Sequence, residues 1–295
     1  MPAPTAARPR RTLALVTTVV LLALAACGTV PAPSSGPSGP TGAPGAPTDG
    51  RTSPVPVSPS TSAGTPRPSA SGGASPDVWV GRFHGHEVRI PRGHGATMSF
   101  TFDDGPWPAS TPQVLALLEQ HHVHAVFCLI GQQARAHPSL VRREVAAGHE
   151  LCDHSRDHDL FMARHDQRYV DREVSDGLAD VRRAAPKGTP VTFYRQPGGT
   201  WSPAVVKAMR TNGLDPLRWS DDPRDWSRPG SLVIVQRVVR KLHPGAVVLM
   251  HDGGGDRSQS VEALRFLLSA VIDAGWKPVL APHVHLSAKA AAKPQ

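Results

Sequence analysis

Two stretches of the chain place acids and imidazoles at spacings that can hold a metal. Thr101-Phe102-Asp103-Asp104-Gly105-Pro106 sets two carboxylates side by side, and His154-Ser155-Arg156-Asp157-His158 sets two imidazoles four residues apart. Imidazoles at i and i+4 share a face if the turn is helical. With one carboxylate they supply three protein ligands and leave a catalytic zinc an open position. Adjacent residues at a strand end point apart, so Asp103 and Asp104 suit different tasks, one binding and one working beside it, unlike the facing carboxylates of a glycosidase. Taken alone, Asp-Asp-Gly-Pro is also sound turn chemistry, and a His pair can be mere surface. Arg195, Asp225 and His251 complete the reactive set. The groups His121/His122/His124 and His84/His86/His94 have no strand-end carboxylate near them and read as surface or loop residues.

The elements that must position these residues alternate. Short apolar runs at Ala96 to Phe102, His124 to Ile130, Glu150 to Asp153, Val191 to Tyr194, Leu214 to Ser220, Ala246 to Met250 and Pro278 to Leu280 read as strands. Between them, amphipathic stretches near 111–120, 138–147, 168–184, 202–212, 231–241 and 258–274 read as helices. Such alternation predicts an α/β fold, a distorted (β/α) barrel of about seven parallel strands, with an open doubly wound sheet as the alternative. In either fold the reactive residues fall at or just past the C-terminal ends of strands, the face where parallel α/β folds bind ligands.

With Arg195-Gln196-Pro197-Gly198-Gly199, Asp222-Pro223-Arg224-Asp225-Trp226 and Leu249-Met250-His251, these segments resemble the five ordered motifs of the NodB-homology polysaccharide deacetylases, carbohydrate esterase family four. The resemblance spans nearly all of the globular sequence. It implies a distorted (β/α) barrel with one divalent metal held by Asp104, His154 and His158. It further implies Asp103 as catalytic base oriented by Arg195, and His251 as general acid polarised by Asp225. The backbone N–H of Gly198 would meet the oxyanion, and Trp226 and Leu249 would line the acetyl slot. Nitrogen and oxygen ligands suit Zn²⁺ and permit Co²⁺, Ni²⁺ or Mn²⁺. The implied substrate is an acetylated polysaccharide, ranked as peptidoglycan, then other N-acetylglucosamine polymers, then O-acetylated xylan. A wall-binding lipoprotein without turnover is the other functional class, and it has no use for the full reactive set. Gly198 and Gly199 stand where many members carry an aromatic residue, so Trp201 or Trp107 is expected to supply that wall of the sugar site. Asp153 precedes His154 where the family often has Asn, a place from which hydrogen bonding could tune the ligand.

The rest of the chain concerns location. Its 295 residues hold 32 Lys+Arg against 24 Asp+Glu, a formal +8. The first 76 residues carry five Arg and one acid, so the globular part has 27 basic and 23 acidic residues, a balance of only +4 that argues against a nucleic-acid partner. Arg8, Arg10 and Arg11 precede an apolar run from Thr12 to Ala26, too short to span a bilayer and suited to an export signal. Leu24-Ala25-Ala26-Cys27 resembles a bacterial lipobox, which would make Cys27 the lipidated first residue of the mature protein. Of residues 31–76, 30 of 46 are Pro, Gly or Ser, too little apolar material for a core, so this stretch reads as a disordered tether. The expected organisation is a signal at 1–26, a tether at 27–76 and a deacetylase domain at 77–295. That domain is large enough to be a monomer. It would be exported and lipid-anchored to the outer face of the bacterial membrane, facing the cell wall. Cys128 and Cys152 fall late in neighbouring predicted strands, within reach of a disulfide in an oxidising exterior.

Overall fold

Runs of residues buried on both faces make the central strands, as an all-parallel sheet covered by helices requires. The structure, a computed structural model, describes residues 77–283. The signal at 1–26, Cys27, the tether to 76 and residues 284–295 lie outside the described residues. A hairpin of β1 (Val78–Phe83) and β2 (His86–Pro91) comes first and pairs only with itself. Seven strands follow: β3 (Thr97–Asp103), β4 (Val126–Leu129), β5 (Glu150–Asp153), β6 (Val191–Tyr194), β7 (Asp215–Pro216), β8 (Ala246–His251) and β9 (Lys277–Pro278). They pair in parallel in the order β7-β6-β5-β4-β3-β8, with β9 against the start of β3. An isolated parallel bridge from Asp221 to Val248 brings the segment after β7 onto the free edge of β8 and curls the sheet into a distorted half-barrel. The alternation thus forms the expected barrel and not an open doubly wound sheet.

The helices are α1 (Thr111–Gln120), α2 (Gly131–Ala136), α3 (Pro138–Ala146), α4 (Gln167–Ala184), α5 (Pro203–Thr211), α6 (Ser231–Lys241) and α7 (Ser258–Asp273). Helix α4 buries Val170, Val174, Leu178 and Val181, one apolar stripe at helical spacing. The Asp166 carboxylate starts it by accepting the Tyr169 N–H at 2.8 Å. Among the described residues no helix is long and apolar enough to cross a membrane.

Inside the curl, Val126, Cys128, Cys152, Phe193, Leu217 and Ala281 form a small apolar plug. Cys128 and Cys152 are register partners on β4 and β5, with Cα atoms 4.2 Å apart, and are joined by a disulfide. Every strand that carries a reactive residue ends at the same rim.

Candidate metal and catalytic centre

Asp103 ends β3, and the chain turns sharply at Asp104, which is in the left-handed region at φ 70°. The turn sends the two carboxylates apart, as strand geometry predicts. One oxygen of Asp103 accepts from Arg195 Nη1 at 2.6 Å, and the other lies 3.5 Å from His154 Nε2. Asp104 Oδ1 instead lies 3.2 Å from His158 Nε2 and 3.6 Å from His154 Nε2.

The histidines converge by a route the sequence reading did not anticipate. Residues 154–158 are not helical. Ser155 and His158 both adopt left-handed backbone, at φ 62° and 65°, and the Ser155 hydroxyl accepts the His158 N–H at 3.1 Å. A tight loop, and not the helical turn that would also put them on one face, brings the rings to 4.9 Å between centroids.

Ligand atoms from Asp104, His154 and His158 all lie within 4.8 Å of one another. The donor set fits a divalent ion on three further observations. Asp104 Oδ1 is buried with no hydrogen-bond partner. His154 Nδ1 is 2.7 Å from the Arg195 carbonyl, which fixes the proton on Nδ1 and leaves the Nε2 lone pair facing Asp104. Burial above all, then His158, pulls the His154 pKa down to about 3 against the pull of Asp104, so the ring stays neutral as a ligand must be.

Arg195 follows β6 and is among the largest fully buried side chains. Beyond Asp103, its Nη1 donates to Thr101 Oγ1 at 2.9 Å and its Nε to the Leu217 carbonyl at 3.2 Å. A buried guanidinium costs several kcal/mol to desolvate, and the Asp103 carboxylate with these acceptors offsets that cost.

On the other side, His251 ends β8 as the register partner of Asp103. Asp225 sits in a short 3-10 turn, Asp225–Ser227, entered through left-handed Arg224 at φ 56°. One Asp225 oxygen is 2.7 Å from His251 Nδ1, and the other accepts the His251 N–H at 2.9 Å and the Ser260 hydroxyl at 2.6 Å. Burial opposes charge on the imidazole, but Asp225, with Asp104 and Asp103 behind it, pushes the His251 pKa up to about 9. Asp225 itself stays low: His251 and its hydrogen bonds outweigh the opposing effect of burial.

Leu249 is buried within β8, while Trp226 is half-exposed, with Arg224 stacked 5.1 Å from its ring centroid. Gly198 occupies the turn after β6 at φ 64°. Trp201, two residues past Gly199, packs on Tyr194 and under Arg218. Trp219 also lies against this turn: a Cβ on Gly199 would stand 2.6 Å from its ring, and Arg195 sits 5.6 Å from the ring centroid. Asp153 is buried, but the atom that holds His154 is the Arg195 carbonyl, not the Asp153 carboxylate. Sequence reasoning missed Ser260 and Trp219, since a lone Ser or Trp carries no spacing signal until the fold places it, and it gave Thr101 of the first motif no role of its own.

A model of the polysaccharide deacetylase family matches residues 91–217. The chain is 41% identical over 199 residues to a chitooligosaccharide deacetylase of Sinorhizobium fredii, covering 63% of this chain and 92% of that one. It is 38% identical over 182 residues to a peptidoglycan-N-acetylglucosamine deacetylase of Bacillus cereus, covering 61% and 84%. Its fold is similar to a family 4 carbohydrate esterase from Streptomyces lividans solved with acetate, at a TM-score of 0.57 and 30% identity, covering 62% and 91%. The chain belongs to the NodB-homology polysaccharide deacetylases, carbohydrate esterase family four.

Proposed function

We propose that this protein is a metal-dependent deacetylase that hydrolyses N-acetyl groups of a cell-wall glycan, with peptidoglycan ahead of other N-acetylglucosamine polymers. The observation that carries the reading is the convergence of Asp103, Asp104, His154, His158, Arg195, Asp225 and His251 at one rim of the barrel. The names of the similar deacetylases support the same substrate class.

Asp104, His154 and His158 would hold the ion, with Zn²⁺ best suited to one oxygen and two nitrogens. When bound there, a divalent ion supplies Lewis-acid polarisation of an acetyl carbonyl and of a water. Asp103 takes the proton of the attacking water at the oxygen that Arg195 does not hold. Arg195 fixes the other oxygen and so the direction of the base. The Gly198 N–H is the protein donor for the developing oxyanion, and Leu249 and Trp226 flank the acetyl methyl. His251 is bound to Asp225 through Nδ1, so it donates from Nε2 to the leaving amine, a group too basic to depart as an anion.

The N-terminal sequence supports export, lipidation at Cys27 and attachment to the outer face of the membrane, with the Pro/Gly/Ser tether giving the enzyme reach into the wall. One folded domain with its own core supports a monomer. The test is acetate release from a panel of wall glycan, chitooligosaccharide and acetylxylan. Release from the N-acetylated glycans with little from xylan is expected. Release from xylan alone would make the protein an O-acetyl esterase, and release from none would leave the wall-binding class.

A further inference from the structure

The base and the acid belong to neighbouring strands, and β3 and β8 pair only as far as Asp103 and His251. Beyond that point both chains turn away from the sheet, yet catalysis needs their separation held to within about 0.5 Å. Asp252, the residue after His251, lies where the two chains part, and it is fully buried. Its N–H donates to the Asp103 carbonyl at 3.1 Å, and its own carbonyl accepts the Ser110 hydroxyl at 2.6 Å. Its carboxylate Oδ2 accepts the hydroxyl of Thr111, the first residue of α1. The same Thr111 oxygen accepts the Trp107 N–H at 2.7 Å. The loop from Asp103 to Thr111 is thus tied at three places to one residue of the acid strand. Gly105 lies directly under the carboxylate: a Cβ there would stand 2.5 Å from both oxygens.

Stability does not account for this acid. Oδ1 of Asp252 has no hydrogen-bond partner. Burial first, then the charges of Asp104 and Asp103, push its pKa up to about 7 against the Thr111 hydrogen bond. An apolar side chain would be cheaper to bury at that place, since one hydroxyl donor offsets only part of the cost of burying a carboxyl group. What the carboxylate adds is a directed bond to the loop.

We propose that Asp252 and Thr111 are a positioning pair that locks the loop bearing Asp103 and Asp104 onto the strand bearing His251, and so sets the distance between base and acid. The inference rests on the deacetylase reading and adds to it two residues that touch no substrate. Thr111→Val keeps the shape and removes both hydroxyl bonds, whereas Thr111→Ser keeps the hydroxyl. The experiment measures kcat and KM on N-acetylchitooligosaccharide and Zn²⁺ affinity by calorimetry, for wild type and both variants. Thr111→Val should lower kcat by about tenfold to a hundredfold, the penalty of misplaced catalytic groups, with KM and Zn²⁺ affinity within about twofold of wild type. Thr111→Ser should recover most of the loss. Asp252→Asn, which retains an acceptor for Thr111, should be milder than Thr111→Val. Wild-type kcat in Thr111→Val overturns the proposal, as does a loss that Thr111→Ser shares in full, or one matched by lost Zn²⁺ affinity. A wild type that releases no acetate from wall glycan, chitooligosaccharide or acetylxylan would remove the deacetylase reading and this pair with it; an active wild type with an equally active Thr111→Val removes the pair alone.

Discussion

Asp103 and Asp104 are chain neighbours that share His154 but differ in their second partner, Arg195 for Asp103 and His158 for Asp104. Asp103→Asn should therefore still bind Zn²⁺ in a calorimetric titration while losing on the order of a hundredfold or more in turnover, as when a general base is removed. Asp104→Asn should weaken the titration itself, and equal metal loss in both would mean the roles are misassigned. For His251 the sign follows from a pKa pushed above the usual 6.5 to about 9: the ring is protonated, and able to donate, through neutral pH. Amide hydrolysis should decline as pH rises through that region, and Asp225→Asn should move the decline to lower pH because it removes the charge that raises the pKa. Bound metal would offset part of the pull of Asp104, so the limb of the loaded enzyme belongs below 9. The pair also stabilises the fold below pH 6.5, a contribution lost as pH climbs through the raised value. His251→Ala should abolish N-acetyl hydrolysis yet spare a larger share of activity on an activated aryl acetate, whose phenolate leaves unaided. A common loss factor on the two substrates would take the acid role away from His251.

At the scale of elements, what the sequence made legible was whatever burial alone dictates. Strands β4, β5 and β6 are short and almost wholly buried, and helices α1 and α6 run where apolar spacing puts them, 111–120 and 231–241. The hairpin β1–β2 escaped because β2 alternates with exposed His, Glu and Arg, and the cue lay in its turn, where His84 and Gly85 at φ 50° and 79° make a two-residue connection of the kind hairpins favour. Strand β7 is two residues long, although apolar residues continue to Leu217, because the chain leaves β6 after Pro216 and crosses to bridge Val248. The motif residues were legible from residue types and order, but the left-handed loop joining His154 to His158 was not, since neither Ser155 nor His158 advertises positive φ. The Cys128–Cys152 bridge ties β4 to the strand that delivers His154. Replacing both cysteines by alanine should lower unfolding free energy by about 3.5 kcal/mol in chemical denaturation, the value for a loop closed across 24 residues. Unchanged stability would mean that the bridge adds nothing to the fold.

For the whole molecule, the basic excess is split between a basic N-terminus and a nearly balanced domain, which favours a wall glycan as partner over nucleic acid. If Cys27 carries lipid, wild-type protein expressed in a bacterial host should partition with membranes and take up labelled fatty acid, and Cys27→Ser should do neither. An unlabelled wild type would leave plain secretion in place of anchoring. The central claim, that Asp104, His154 and His158 hold an ion on which N-deacetylation depends, meets its most direct test in one assay. Acetate released from N-acetylchitooligosaccharide is measured for the purified protein, for the same protein after chelation and dialysis, and for the chelated protein given one equivalent of Zn²⁺. Activity should vanish on chelation and return with Zn²⁺, and His154→Ala should stay inactive at every Zn²⁺ concentration. Full acetate release from metal-free protein would contradict the account.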